Sequence, residues 1–184
     1  MAKSHHDKIA IVSGGANGIG QAFAQRLAQD GAHIVIADIA PGSNTVKMVE
    51  QAGRQALACT CDVSSVDSVK ALASDVAKHF DRCDILINCA GIFPNQPFEE
   101  MAFADWRRVL AINLDSVFLM SAAFVPGMKQ RQWGAPLTLL SKIPISYPAN
   151  TAWRSKHEIS EGRHRLHRPC EGRARHLGCT ARGF

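Results

Sequence analysis

Apolar residues along the first 130 positions follow two alternating rhythms. Short apolar runs occur at Lys8–Ser13, which holds β-branched residues, at His33–Asp38 and at Asp84–Asn88, and Gln55–Val63 is a strand-like run in which Cys59 and Cys61 alternate with apolar neighbours. Runs of that length and type predict strands buried on both faces, as in a parallel sheet. Between them the spacing becomes helical. Residues 19–30 put Ala22, Phe23 and Leu27 on one face, and Gly31 follows as a C-terminal stop. A second helix is predicted near 44–52, after the turn Pro41-Gly42-Ser43-Asn44. Ser64, with Asp67 three residues later, signals a helix start, and Val66, Val69, Ala73, Val76 and Phe80 then recur at intervals of three and four. A long helix over 105–127 is apolar on more than one side, through Trp106, Val109, Leu110, Ile112, Leu114, Val117, Phe118 and Leu119. Such a helix is buried or forms a subunit contact. A fifth strand is predicted over 136–141, with Pro136 able only to begin it.

Strands alternating with helices predict an α/β fold with a doubly wound parallel sheet covered on both faces. Residues 1–153 suffice for one such domain. Beyond Arg154 neither rhythm continues, and Gly or Pro recurs at 162, 169, 172, 178 and 183. The expectation is a basic, irregular tail over 154–184 and a sheet incomplete at its C-terminal edge. Charge marks the same boundary. The net charge of +5 lies wholly in the tail, because residues 1–153 hold 13 basic and 13 acidic side chains and residues 154–184 hold 8 and 3. A GC-rich coding region read out of frame yields such a mixture of Arg, Ala, Gly, Pro, His and Cys, so a reading-frame disruption is one expectation for the tail.

The tail's arginines are not interleaved with aromatics and match no nucleic-acid-binding module, so a nucleic-acid partner is not expected. His164, His167, Cys170, His176 and Cys179 fit no zinc-ligand spacing, and no metal site is expected. No consecutive apolar run approaches the ~20 residues of a membrane span. Residues Met1–Asp7 lack the apolar core of a signal peptide. None of the six cysteines forms a CxxC pair, and free, mostly buried thiols are expected. Together these features predict a cytoplasmic protein.

The candidate chemistry begins at Ser13-Gly14-Gly15-Ala16-Asn17-Gly18-Ile19-Gly20, between a predicted strand and a predicted helix. Glycines there permit a tight turn and close approach of a pyrophosphate to the backbone. The helix start aims free N–H groups and a positive dipole end at phosphates. Asp38 ends the next strand 18 residues after Gly20, where an acid binds an adenosine ribose. A carboxylate accepts from a ribose diol and repels a 2′-phosphate. No Arg or Lys follows in Ile39-Ala40-Pro41-Gly42, so NAD is expected over NADP.

The spacing Gly14-x-x-x-Gly18-x-Gly20 resembles that of the short-chain dehydrogenase/reductase family, and further landmarks follow in order. Asp62-Val63 is similar to the family's Asp-hydrophobic pair, which holds the adenine. Asn88-Cys89-Ala90-Gly91 resembles its Asn-Asn-Ala-Gly segment, which stabilises the sheet and lines the cofactor cleft. Asn113 stands where the family has its catalytic asparagine, with Trp106 ahead of it as in the family's Asp-Trp helix opening. The resemblance covers residues 8–130. It implies a Rossmann-like fold and a cofactor site drawn from Gly14, Asn17, Gly18, Ile19, Gly20, Asp38, Ile39, Asp62, Val63, Asn88, Ala90 and Gly91. It also implies hydride transfer between a nicotinamide cofactor and a small alcohol or ketone.

The family's acid–base pair is a Tyr and a Lys four residues apart, in which the lysine lowers the tyrosine pKa. Here the sequence departs from the pattern. The single tyrosine, Tyr147, has Thr151 four residues on. In Thr151-Ala152-Trp153-Arg154-Ser155-Lys156, Trp153 stands near the tyrosine's place and Lys156 follows three residues later instead of four. Tryptophan carries an N–H donor and no usefully titrating group. Ser141, 12 residues before Trp153, matches the family's substrate-binding serine. The candidate catalytic residues are therefore Asn113, Ser141 and Lys156. Two functions compete: a dehydrogenase or carbonyl reductase with a damaged acid–base pair, and a catalytically inactive nucleotide-binding or truncated product. The 105–127 helix is the expected face for a homo-oligomer.

Overall fold

The computed structural model describes residues 4–94 and 98–138 of the 184. The tail over 154–184, the candidate residues Ser141, Trp153 and Lys156, and the end of the fifth predicted strand lie outside these residues.

Five strands form one parallel sheet: β1 (Ile9–Ser13), β2 (His33–Asp38), β3 (Ala56–Thr60), β4 (Ile85–Asn88) and β5 (Ala135–Thr138). Their order across the sheet is β3-β2-β1-β4-β5. The chain thus builds outward from β1 to β3, crosses back, and continues from β4. That reversal leaves a crevice at the carboxyl ends of β1 and β4, the usual ligand position in an open α/β sheet. The helices are α1 (Gly18–Gln29), α2 (Ser43–Gln51), α3 (Val66–Phe80), α4 (Phe103–Leu110) and α5 (Ser116–Gln130), with a π-helical turn at Ala111–Asp115 joining the last two.

Alternation along β1 divides the core. Ile9 and Ile11 face a layer built with Val69, Leu72 and Val76 of α3 and Met120, Phe124 and Met128 of α5. Ala10 and Val12 face the opposite layer, with Ala24, Leu27 and Ala28 of α1 and Val49 of α2. Both faces of the sheet are therefore covered, as the apolar strand runs predict. The buried stripe of α1 is Gly20, Ala24, Leu27 and Ala28, and Ala22 is exposed. Gly31 adopts φ 103° just beyond that helix, the left-handed stop expected of it. The start of α3 differs from the Ser64–Asp67 expectation. Ser65 is the cap and accepts from Ser68 N–H at 3.3 Å, because the Ser64 hydroxyl is bound to the Asp62 carboxylate at 2.7 Å.

The predicted 105–127 helix is longer, Phe103–Gln130, and is interrupted by the π turn. Over 18 of its residues the mean hydropathy is 1.7, enough by length and composition to cross a membrane. A count of consecutive apolar residues misses this, because small residues such as Ser and Ala break the run without lowering the average much. The segment is held to the sheet along one stripe by the buried Val117, Met120, Phe124 and Met128. Phe103, Trp106 and Phe118 of the same segment are exposed.

Polar groups fix the amino ends of the strands. Buried Asp84 accepts from Ile9 N–H at 2.9 Å and from Arg82 at 3.0 Å. Beside it, Asp7 binds Arg54, whose guanidinium lies 2.7 Å from His33 Nε2, while Gln55 N–H donates to His33 Nδ1 at 3.0 Å. Burial, and then the Arg54 charge, hold the His33 pKa below its ordinary value, against the opposing pull of Asp7. The unfolded chain thus takes up the proton first, and stability falls as pH drops below the ordinary histidine value of 6.5. Urea unfolding at pH 7.5 and 5.5, values on either side of that titration, is expected to show a larger acid loss for the wild type than for His33→Gln. Equal losses would remove His33 as the cause.

Candidate functional site

At the carboxyl end of the sheet lies a cleft of about 620 Å³, bounded by the β1–α1 turn, the ends of β2 and β3, the turn after β4, and one face of α4. The turn after β1 is built for close approach. Gly14 has φ 67°, and a Cβ there would stand 2.8 Å from Ala90 Cα. A Cβ on Gly20 would meet Gly14 O at 2.1 Å. The buried Ser13 hydroxyl joins the two turns: it donates to Ile87 O (3.3 Å) and accepts from Cys89 N–H (3.0 Å) and Ala90 N–H (3.1 Å). The first turn of α1 carries no acidic residue, and the Asn17 side chain caps none of its N–H groups. Those donors, with the positive helix end, remain open to an anion.

Asp38 stands at the opposite lip. Its Oδ2 accepts from Ala16 N–H at 2.9 Å and its Oδ1 from Ala40 N–H at 3.0 Å. Each carboxylate oxygen keeps a lone pair for a further donor. Asp62 is held by Ser64, whose hydroxyl, and then its N–H, draw the carboxyl pKa below the usual range. Cys61 and Cys89 also line the cleft, and burial raises both thiols, so neither is a ready nucleophile at neutral pH.

Of the residues drawn from the sequence, Gly14, Asn17, Ile19, Gly20, Asp38, Ile39, Asp62, Val63, Ala90 and Gly91 line this one cleft, and Gly18 and Asn88 do not. Gly18 is exposed in the left-handed region, with φ 54°. Asn88 is buried and reaches toward β5, its Nδ2 lying 3.5 Å from Thr138 Oγ1. Asn113 sits in the π turn and clasps Ile92 with both ends of its amide: Oδ1 accepts from Ile92 N–H and Nδ2 donates to Ile92 O, each at 2.8 Å. It thereby fixes the segment leaving Gly91. Arg108 and Ile112 also line the cleft, outside the spaced motifs. Their four-residue spacing puts them on one helix face, and that spacing was the available signal. Arg108 is the one basic side chain among the described lining residues, against the carboxylates Asp38 and Asp62.

The contact of Gly20 with Gly14 makes a direct prediction. Gly20→Ala is expected to lower unfolding stability by about 1–3 kcal/mol, as overpacking does. An unchanged thermal melt would show that the turn relaxes freely.

The family pattern for short chain dehydrogenases matches residues 8–151. Among curated relatives, cis-4-hydroxycyclohexanecarboxylate dehydrogenase of Sinomonas cyclohexanicum is 36% identical over 154 residues, which is 83% of this chain and 62% of that protein. Among solved structures, a 7α-hydroxysteroid dehydrogenase in complex with NADH and 7-oxo glycochenodeoxycholic acid has a TM-score of 0.70 at 35% identity, covering 75% of this chain and 55% of that one. A metagenomic short-chain oxidoreductase in complex with NADP has a TM-score of 0.70 at 31% identity, covering 78% and 67%. The chain spans 53–62% of the length of the first few curated relatives that it matches. With the parallel sheet, the glycine turn and the Asn113 clasp in these positions, the chain belongs to the short-chain dehydrogenase family of NAD(P)-binding oxidoreductases.

Proposed function

We propose that the cleft binds NAD(H) in preference to NADP(H), and that the chain's chemistry is hydride transfer between NAD(H) and a secondary alcohol or carbonyl compound. The carrying observation is Asp38, whose two carboxylate oxygens each retain acceptor capacity at the cleft lip. A ribose diol can donate to both, whereas a 2′-phosphate would meet a like charge. The residues present fit the group. The open N–H donors of α1 suit a pyrophosphate, and the close Gly14–Ala90 contact keeps side chains out of its path. Gly14, Asn17, Ile19 and Gly20 would hold the phosphates, Asp38 and Ile39 the ribose, and Asp62 and Val63 the adenine. Gly18 would shape the turn, and Asn88 would support the sheet beside Ala90 and Gly91. When bound, the nicotinamide supplies the hydride acceptor or donor. Asn113, through Ile92, fixes the wall next to Gly91, with Ser141 as the substrate-oxygen ligand and Lys156 as the remaining cation of the family's pair.

A second reading, nucleotide binding without turnover, is favoured by a specific observation: no tyrosine stands four residues before a lysine, and Trp153 precedes Lys156 by three. The residues 1–153 would then form the binding domain and 154–184 an appended basic tail. The unpaired Cys59, Cys61, Cys83 and Cys89 support a cytoplasmic location. Exposed Phe103, Trp106 and Phe118 support self-association through the long helix.

Fluorescence titration with NADH and NADPH is expected to favour NADH in the wild type, and Asp38→Ser to shift the ratio toward NADPH by about tenfold, by removing the like charge. An unmoved ratio would remove Asp38 as the discriminating group. In the same preparations, NADH formation from secondary alcohols, abolished by Ser141→Ala, would decide for the enzyme; absence of turnover with intact NADH binding would decide for the second reading. For the helix face, light scattering should report an oligomer that Phe118→Lys breaks. A monomeric wild type would end that part of the proposal.

A further inference from the structure

Thr45 belongs to the first turn of α2 and is fully buried, yet it does not line the cleft. A buried hydroxyl needs partners, and its acceptors both lie in the turn between β1 and α1. Its oxygen is 2.9 Å from Gly15 O and 3.2 Å from Ala16 O, so its one proton is shared between two carbonyls. Gln21 Nε2 donates to the same hydroxyl at 2.9 Å and to Ala16 O at 3.2 Å. From the other side, Asp38 Oδ2 takes the Ala16 N–H at 2.9 Å. The Ala16 backbone is therefore gripped by side chains from the end of β2, from α1 and from α2.

The grip has a directional consequence. A trans peptide group is planar, so its N–H points opposite to its C=O. Drawing Ala16 O toward Thr45 and Gln21 turns the Asn17 N–H away from them, and Asn17 lines the cleft. The Asn17 N–H, a donor a phosphate would meet, is thus aimed by a residue that the phosphate does not touch.

We propose that Thr45, bridged by Gln21, is a positioning residue that sets the β1–α1 turn for the diphosphate of a bound dinucleotide. This rests on the dinucleotide reading of the cleft. A residue that merely ties α2 to the domain would affect every ligand alike. A residue that aims the turn affects ligands bearing the diphosphate and spares those without it.

The test is calorimetric titration of the full chain with ADP-ribose and with adenosine. Thr45→Val, nearly equal in volume but without the hydroxyl, is expected to weaken ADP-ribose binding by about tenfold and adenosine binding by less than about twofold, since Gly15 O loses its side-chain donor and Ala16 O keeps only Gln21. Thr45→Ser, which keeps the hydroxyl, should stay within about threefold of wild type for both ligands. Gln21→Met should lose ADP-ribose affinity by about threefold with adenosine unchanged. Wild-type ADP-ribose affinity in Thr45→Val, or equal losses for both ligands, would overturn the proposal. Should Thr45→Val fail to melt cooperatively, Gln21→Met decides, and its retention of full ADP-ribose affinity is the overturning result. A folded wild type that binds neither ligand overturns the dinucleotide reading together with the proposal, whereas wild-type binding that Thr45→Val matches overturns the proposal alone.

Discussion

The cleft depends on how closely two backbone turns approach each other. Gly14 lies so near Ala90 that no side chain fits between them, and the Ser13 hydroxyl bridges the same gap with one donated and two accepted hydrogen bonds. Closing this gap keeps the space above β1 and β4 free of side chains, and it aligns the start of α1 with the crevice between the strands. Had Gly14 carried a Cβ, the β4 turn would have to move outward, and Gly91, Ile92 and the Asn113 amide that holds Ile92 would move with it. The anion-facing helix end and the carboxylate lip are therefore consequences of one steric constraint at β1. Neither would face the cleft if that turn were wider.

The central strands β1, β2 and β4 were legible because strands buried on both faces must be apolar throughout, whereas β3, at the sheet edge, is only partly buried. Each of the first four runs became a strand, although β3 is shorter than Gln55–Val63 and ends at Thr60. Helix interiors were legible for a similar reason, but their ends were not. The capping role fell to Ser65 because the more obvious Ser64 was drawn to Asp62, and competition of that kind between neighbouring hydroxyls leaves no mark on periodicity. The π turn at Ala111–Asp115 was also invisible. It coincides with the Asn113 clasp on Ile92, a contact spanning 21 residues, and a local pattern carries no information about a partner that distant. π turns of this kind are frequent at functional sites.

In the site, residues belonging to a spaced motif were readable, and residues acting through folded contacts were not. Asp38 was found from its distance to the glycine turn, but its bonds to Ala16 and Ala40 were not foreseeable. They give it a second task, since the carboxylate proposed as a ribose acceptor also holds the β1–α1 turn. Thr45 sits in Ser43-Asn44-Thr45-Val46, a stretch that reads as an ordinary polar helix start, and only the fold carries it to Gly15 and Ala16. Asn88 is an intermediate case. Its motif carries both a sheet-stabilising and a cleft-lining expectation, and the side chain turns toward Thr138 at the junction between β4 and β5.

The two ends of β1 divide the labour of the domain. Its carboxyl end carries Ser13 and the glycine turn, where Gly14 and Gly20 leave no room for a Cβ. Its amino end is fixed by charge: Asp84 receives the Ile9 N–H, Arg82 neutralises Asp84 and reaches Asp7 O at 3.0 Å, and Asp7 engages Arg54 beside His33. Because neighbouring strands are parallel and in fixed register, pinning Ile9 against His33 at one end also sets Ser13 against Ala37 at the other. Gly14 N–H then continues the ladder onto Ala37 O at 2.8 Å, which brings the glycine turn beside Asp38. A polar cluster far from the cleft thus contributes to the cleft's geometry, through five residues of strand that tolerate no slip.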